Sequence, residues 1–189
     1  MSKYSKHTYA EHFVSLKLCP LSSNGNGELE KKYFYWEFYA KPSSFSKVYK
    51  ILVIWDFTKN SPNVYILNEE VHKISKVKNI PHLYSKEKVQ LCLYYPSYQE
   101  FSSSMSLCET IIPWTYLWIS YYEEWLYSGE WKGGGEHPSP VMKKKISPLK
   151  KIQVQRKIKN IEKKKVEKTL IDKIYQRRKK LYEKMKNNF

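Results

Sequence analysis

The chain has 189 residues, which suffices for one domain with a hydrophobic core and an appendage but is short for two full domains. Its formal charge of +16 is uneven, because residues 140–189 carry 19 lysines and arginines against 4 acidic residues while the rest of the chain is close to neutral. No apolar run approaches the ~18 residues of a membrane-spanning helix, so we expect a soluble protein with a basic end that meets a polyanion, rather than a fold built around nucleic acid.

The first part of the chain predicts strands joined by short turns. Residues 2–13 favour a short helix, and residues 21–30 are rich in turn-forming residues. Alternation, aromatic content and β-branched content predict four strands, at residues 13–18, 31–41, 48–57 and 63–67. Four strands with short turns indicate an antiparallel meander, and an α+β fold results if a helix covers one face of it.

That helix is predicted at residues 103–128, where apolar residues recur at helical spacing. Pro113 lies inside this stretch, so we expect either a kink or a break that leaves Pro113 in the first turn of a second segment. Residues 68–102 show little periodicity and are predicted to form a long irregular loop.

A glycine-rich and proline-rich stretch at residues 130–140 predicts the end of the folded domain. We therefore divide the chain into a domain over residues 1–138 and a basic tail over residues 139–189. The tail has an apolar stripe interrupted by charge, which indicates a segment that is helical or partly disordered.

A histidine precedes a cysteine by ten residues in the segment between the predicted meander and the long helix. The two are His82 and Cys92, and leucines flank the cysteine on both sides. This segment resembles that of ubiquitin-conjugating enzymes, which carry a His-Pro-Asn motif ten residues before their catalytic cysteine. Small prokaryotic relatives of that family are more similar still, in HLY at 82–84, LCLYYP at 91–96, ETIIPW at 109–114 and GEWKGGGEHP at 129–138.

Some of these prokaryotic proteins are encoded in short type II operons of the CBASS antiphage system. The resemblance implies a ubiquitin-conjugating fold over residues 1–138, with a four-stranded meander covered by the long helix. It also implies a thioester between Cys92 and the C-terminal glycine of a cGAS-like cyclic-oligonucleotide synthase, with transfer to an amine of an acceptor protein. A thiolate suits this chemistry, because it attacks an activated carboxyl and leaves a thioester that amines still attack.

Cys92 is the candidate nucleophile, and we expect its thiol to be reachable. Tyr84 stands where the family has the asparagine that supports the oxyanion, so this support falls to backbone N–H groups, to the tyrosine hydroxyl, or to neither. His82 is better explained as a hydrogen bonder that fixes the loop than as a general base. The departure at Tyr84 leaves two alternatives open, an active acyltransferase and a pseudoenzyme.

The other two cysteines have simpler explanations. Cys108 falls on the apolar stripe of the predicted helix, where core packing is expected, and Cys19 has no evident partner. An odd number of cysteines and the lack of a signal-like start favour a reducing cytoplasm. Five scattered histidines show no metal-ligand spacing, so we expect neither a metal nor an organic cofactor.

The concentration of positive charge in the tail leaves a second class of function open. The chain could be a non-catalytic protein that binds nucleic acid or holds a partner through its basic tail, residues 143–189. A solvated or coiled helix that spaces or dimerises the protein explains the same charge run.

The first of these alternatives predicts that the tail retains duplex DNA. Retention by the full chain should fall steeply with salt, since each neutralised phosphate adds about 0.9 to the slope of log affinity against log salt. The measurement compares the full chain with a chain that ends at Pro140, at low and moderate salt. Equal retention of both chains, or retention of neither, would contradict a polyanion-binding tail.

Overall fold

The computed structural model describes residues 7–95 and 98–134. These residues form an α+β fold, as predicted, with an antiparallel sheet and three helices. The elements in chain order are α1 (Tyr9–Leu18), β1 (Asn26–Leu29), β2 (Tyr33–Ala40), β3 (Tyr49–Asp56), β4 (Asn63–Ile66), α2 (Glu69–Val77), β5 (Leu83–Ser85), β6 (Gln90–Leu91) and α3 (Ile111–Ser128).

The sheet has six strands in the order β1-β2-β3-β4-β6-β5, and every neighbouring pair is antiparallel. Strands β1 to β4 form an antiparallel meander, of which the sequence predicts β2, β3 and β4 but not β1. The predicted strand number of four is nevertheless wrong, because the β5–β6 hairpin adds two strands beyond β4. This hairpin carries the candidate site at the edge of the sheet.

The strand predicted at residues 13–18 is wrong, because these residues complete helix α1. A capping box starts the helix: the Glu11 N–H donates to the Thr8 hydroxyl at 3.2 Å, and the Thr8 N–H donates to the Glu11 carboxylate at 2.5 Å. Phe13 and Leu16 are one helical turn apart and both are buried. Alternation over so short a stretch fits a helix as well as a strand.

Strand β1 lies inside the segment that was predicted as a turn. Its Gly27 faces Trp36 across the ladder, and a Cβ at this position would come 2.0 Å from the Tyr35 carbonyl oxygen. Only glycine fits so close an approach of two backbones. Because glycine is depleted in strands, the sequence around Gly27 does not predict a strand.

The long irregular loop predicted at residues 68–102 is also wrong in part. It contains α2, whose first turn carries Glu69 and Glu70 and whose Val71 is buried, and it contains the two strands of the hairpin. All three elements are short, so none shows a sustained periodicity.

Helix α3 begins at Ile111 rather than at residue 103. Pro113 therefore lies in the first turn, as one of the two alternatives predicts, and its missing N–H costs no hydrogen bond there. Residues 103–110 form turns rather than the first helical segment of that prediction. The Trp114 N–H donates to the Thr110 carbonyl at 2.9 Å, and Gly129 ends the helix with φ +76°.

One hydrophobic core joins the helices to the sheet. Phe13 of α1 packs edge-on against Phe34 and Trp36 of β2, with ring centroids 5.9 Å and 5.6 Å away. Ile112 and Ile119 of α3 are fully buried in the same core. Within the described ranges, no helix is both long and apolar enough to cross a membrane. The predicted boundary at residue 138 and the basic tail lie outside those ranges.

Candidate active site

The β5–β6 hairpin brings together His82 and Cys92, which are ten residues apart in the sequence. Leu83 pairs with Leu91 in the antiparallel register, so the residues just outside the two strands meet at the open end of the hairpin. The Cys92 N–H donates to the His82 carbonyl at 2.9 Å. His82 has φ +51°, a left-handed conformation in which histidine is enriched. The hairpin thus brings two predicted site residues together.

Helix α3 fixes the same end of the hairpin. Trp118 is 4% exposed, and its Nε1–H donates to the His82 carbonyl at 3.0 Å. One buried oxygen therefore accepts a bond from the hairpin and a second bond from the helix. These two bonds hold the His82–Cys92 end of the hairpin against α3.

Cys92 lies on the wall of a cavity of about 280 Å³. The residue is 7% exposed and therefore buried, although the sequence predicted a reachable thiol, and the cavity that it lines is the open space next to it. Aromatic side chains supply most of the remaining wall: Tyr94, Tyr95, Tyr98, Trp114, Trp118, Tyr121 and Trp131.

Tyr84 lies beside the thiol. Its hydroxyl donates to the Tyr94 carbonyl at 3.1 Å, and the Cys92 Sγ lies 3.9 Å from the same oxygen. The tyrosine ring is 45% exposed. All three residues predicted from the sequence, His82, Tyr84 and Cys92, therefore meet at one end of one hairpin.

The thiol is harder to ionise than an ordinary one. Burial raises the pKa of Cys92, the Tyr84 hydroxyl lowers it because it can donate to the thiolate in place of the Tyr94 carbonyl, and the nearby Glu100 carboxylate raises it again. Burial also raises the pKa of Tyr84, and the interaction with Cys92 adds to this effect. The tyrosine therefore stays protonated at neutral pH and keeps a proton that it can donate.

The segment after α3 covers the histidine ring. Trp131 stacks on His82 with centroids 5.1 Å apart and an interplanar angle of 29°, and it also meets Trp118 and Tyr121. A Cβ at Gly133 would come 2.6 Å from Trp131 Nε1 and 2.7 Å from the Tyr121 ring. The glycine thus lets the chain pass close over two aromatic rings.

Three residues of this cavity were missed as site residues from the sequence: Trp118, Trp131 and Glu100. Trp131 belongs to the GEWKGGGEHP motif, so its presence in a family motif indicated that it could belong to the site. The motif alone does not predict that Trp131 packs on His82. Trp118 looked like one more apolar residue of a helix. Glu100 shows no distinguishing pattern in the sequence.

The other two cysteines lie away from the cavity. Cys108 precedes α3 and is not on the helix, which corrects its predicted place, but it packs against the hydrophobic core as expected. Its thiol contacts that of Cys19; burial raises the pKa of Cys108 to about 12, and Cys19 adds to the rise. A larger cavity of about 720 Å³ lies beside Tyr49 and Glu123 and has no cysteine in its wall, so it provides no comparable nucleophile.

The family model of the type II CBASS E2 proteins matches residues 14–138, about two thirds of the chain. The chain belongs to this family. The matched range includes the whole hairpin, the cavity and helix α3. Membership in the type II CBASS E2 family implies an E2-like conjugation role in antiphage defence and protein partners within that system. No curated protein shows a significant match to the chain.

The position of Tyr84 predicts the pH dependence of Cys92 alkylation. Iodoacetamide reacts with the thiolate, so the midpoint of alkylation should lie above the ordinary thiol pKa of about 8.5. Tyr84→Phe removes the hydrogen bond that favours the thiolate, which should shift the midpoint to still higher pH. Peptide mass spectrometry separates Cys92 from the other cysteines.

Tyr127→Phe is the matched control, since this tyrosine is 92% exposed on α3 and does not line the cavity. It should leave the Cys92 midpoint unchanged. An unchanged or lowered midpoint in Tyr84→Phe would contradict a hydrogen bond from the Tyr84 hydroxyl to the thiolate.

Proposed function

We propose that this protein is a ubiquitin-conjugating-like acyltransferase in which Cys92 is the nucleophile. The observation that carries the proposal is the position of this thiol: it lies at the open end of a hairpin, on the wall of an aromatic cavity, next to a tyrosine hydroxyl. Cys92 is buried but is not part of the hydrophobic core cluster, which includes Cys19.

The donor is the C-terminal glycine of a protein partner, by resemblance a cGAS-like cyclic-oligonucleotide synthase. A cavity of about 280 Å³ with several large rings in its wall leaves little room for a side chain beside the reacting carbonyl. Glycine has none, so a chain that ends in glycine can bring its carboxyl carbon close to the thiol. Activation of this carboxyl, as an adenylate or another thioester, precedes attack by Cys92.

The contacts around Cys92 support Tyr84 as the source of oxyanion support. The Cys92 N–H already donates to the His82 carbonyl, so this backbone group is occupied. The Tyr84 hydroxyl interacts with the thiol and stays protonated, and a small rotation from the Tyr94 carbonyl would direct its proton to an oxygen on the carbon attacked by Cys92. We therefore assign oxyanion support to Tyr84, which favours an active enzyme over a pseudoenzyme.

His82 acts through its backbone rather than as a general base. Its carbonyl holds the Cys92 N–H and Trp118, and its ring stacks on Trp131. In the proposed reaction Cys92 attacks as the small thiolate fraction that its raised pKa leaves near neutral pH, and no proton transfer to His82 is invoked. His82 is therefore a positioning residue in this mechanism.

The amine acceptor and the basic tail complete the proposal. By resemblance, the acyl group passes from Cys92 to an amine of an acceptor protein. The charge of residues 143–189 is the one argument for polyanion binding, and these residues lie outside the described ranges. Such binding would either accompany catalysis or be the function of a non-catalytic adaptor. It stays a prediction.

A glycine-terminated peptide thioester tests the nucleophile without any activating enzyme. The full chain should gain the mass of the peptide on Cys92, and a thiol reductant should remove it. Cys92→Ala should form no such conjugate, and Cys92→Ser should form an oxyester that survives the reductant. Intact-mass spectrometry measures each product.

Cys108→Ala is the control, because Cys108 is a partly exposed thiol outside the cavity. It should still form the conjugate and should lose only about 1 kcal/mol of unfolding free energy for the contacts removed. Equal loss of conjugate in both folded alanine variants would contradict the assignment of Cys92.

A further inference from the structure

The larger cavity, of about 720 Å³, shares no lining residue with the cavity of Cys92. It lies between the β2–β3 loop (residues 41–48), the start of α2 and the second half of α3. Among the described residues of its wall, the charged side chains are the carboxylates of Glu70, Glu123 and Glu124 and the ammonium of Lys47. This excess of negative charge favours a cationic ligand.

The wall of the larger cavity is held in a fixed shape by Glu123. Its carboxylate accepts the Ser46 hydroxyl at 2.6 Å and the Lys47 N–H at 3.1 Å, so it holds the β2–β3 loop against α3. It also accepts the Tyr49 hydroxyl at 3.0 Å. Glu124, the next residue of α3, is exposed and offers its carboxylate to a ligand.

The hydroxyl of Tyr122 is buried in this wall without a partner. Tyr122 is 1% exposed, and its oxygen has no hydrogen bond among the described residues. Burial raises the pKa of Tyr122 to about 12, and the Glu70 and Glu123 carboxylates add to the rise. Both carboxylates belong to the larger cavity, so the hydroxyl lies on that side of the ring. A buried polar group without a partner is unfavourable, and a ligand that donates to this oxygen removes the deficit.

An exposed ion pair gives access to the hydroxyl. Lys47 Nζ lies 2.6 Å from Glu70 Oε1, and the two side chains are 67% and 62% exposed. Such a pair contributes little to stability, so another cation can replace Lys47 at Glu70. Because Glu70 is close enough to Tyr122 to affect the pKa of its hydroxyl, a cation with several donors on Glu70 also reaches that hydroxyl.

An aromatic ring stands beside these acceptors. Phe45 is 98% exposed, and the turn that carries it is closed by the Ser46 N–H, which donates to the Ser43 carbonyl at 3.2 Å. A large apolar ring exposed beside a cavity indicates a binding surface. A guanidinium stacks on aromatic faces and donates up to five hydrogen bonds in one plane, whereas an ammonium is a compact charge with three donors. These features favour arginine over lysine.

We propose that the larger cavity binds an arginine side chain of a partner protein. The guanidinium stacks on Phe45 and donates to the Glu70 and Glu124 carboxylates. A further N–H donates to the Tyr122 hydroxyl. The binding is non-covalent and needs no thioester on Cys92, so the inference goes beyond the proposed function and does not depend on it.

Three blocked pentapeptides test the ligand: acetyl-Gly-Leu-Arg-Leu-Gly-amide and the same peptide with citrulline or lysine in place of arginine. Citrulline keeps the shape of arginine but has no charge. The isotope-labelled full chain is titrated with each peptide to millimolar concentration, and NMR follows the amide signals of Lys47 and Glu124. We expect the arginine peptide to bind about tenfold or more tighter than the citrulline peptide, the ratio expected for charge-assisted hydrogen bonds. It should also bind tighter than the lysine peptide.

Tyr122→Phe separates binding from stability, because it removes only the unpaired oxygen. The affinity for the arginine peptide should fall about threefold or more, the loss expected for one hydrogen bond. The midpoint of thermal unfolding should stay the same or rise, since no bond within the chain is lost. Tyr49→Phe is the matched control for the thermal measurement: it removes a hydroxyl that is paired with Glu123, so its midpoint should fall.

Glu124→Gln should also weaken binding of the arginine peptide, since it removes a carboxylate of the cavity. Glu28→Gln removes the same charge from strand β1, outside the cavity, and should leave the affinity unchanged. Four results would overturn the inference. They are no binding of the arginine peptide, equal affinity for the arginine and citrulline peptides, an unchanged affinity in Tyr122→Phe, and an equal loss in Glu124→Gln and Glu28→Gln, which indicates an effect of net charge.

Discussion

The carbonyl oxygen of His82 accepts two hydrogen bonds, from the Cys92 N–H at 2.9 Å and from Trp118 Nε1 at 3.0 Å. The first bond closes the open end of the hairpin, and the second fixes that end to helix α3. A buried carbonyl must be paired, and here the two partners come from segments that are distant in sequence. The site thus depends on a backbone acceptor as much as on any side-chain chemistry.

In the reaction that we propose, burial has two opposite effects on Cys92. It raises the pKa of the thiol and so lowers the fraction of thiolate, while the aromatic wall of the cavity would limit the access of water to a thioester on Cys92. An intermediate that must await an acceptor benefits from such a wall, because hydrolysis competes with transfer. Tyr84 partly offsets the cost, since its hydroxyl favours the thiolate.

The sequence predicted the elements whose structure depends mainly on residues that are close together in the chain. The aromatic and β-branched runs gave β2, β3 and β4, and the ten-residue spacing with its flanking motif placed His82, Tyr84 and Cys92 together. Contacts across the chain decide the remainder. Gly27 lies in a strand because a neighbouring backbone passes close to it, and Trp131 covers His82 because the chain returns after α3; no short pattern encodes either fact.

The central claim is that a partner's C-terminal glycine becomes bound to Cys92. The most direct measurement isolates the full chain from cells that also make its glycine-terminated partner, digests the covalent complex without reductant, and maps the linkage by peptide mass spectrometry. We expect the terminal glycine on the Cys92 peptide, through a bond that hydroxylamine cleaves. A linkage to Cys19, Cys108 or a lysine of this chain, with Cys92 unmodified, would contradict the account.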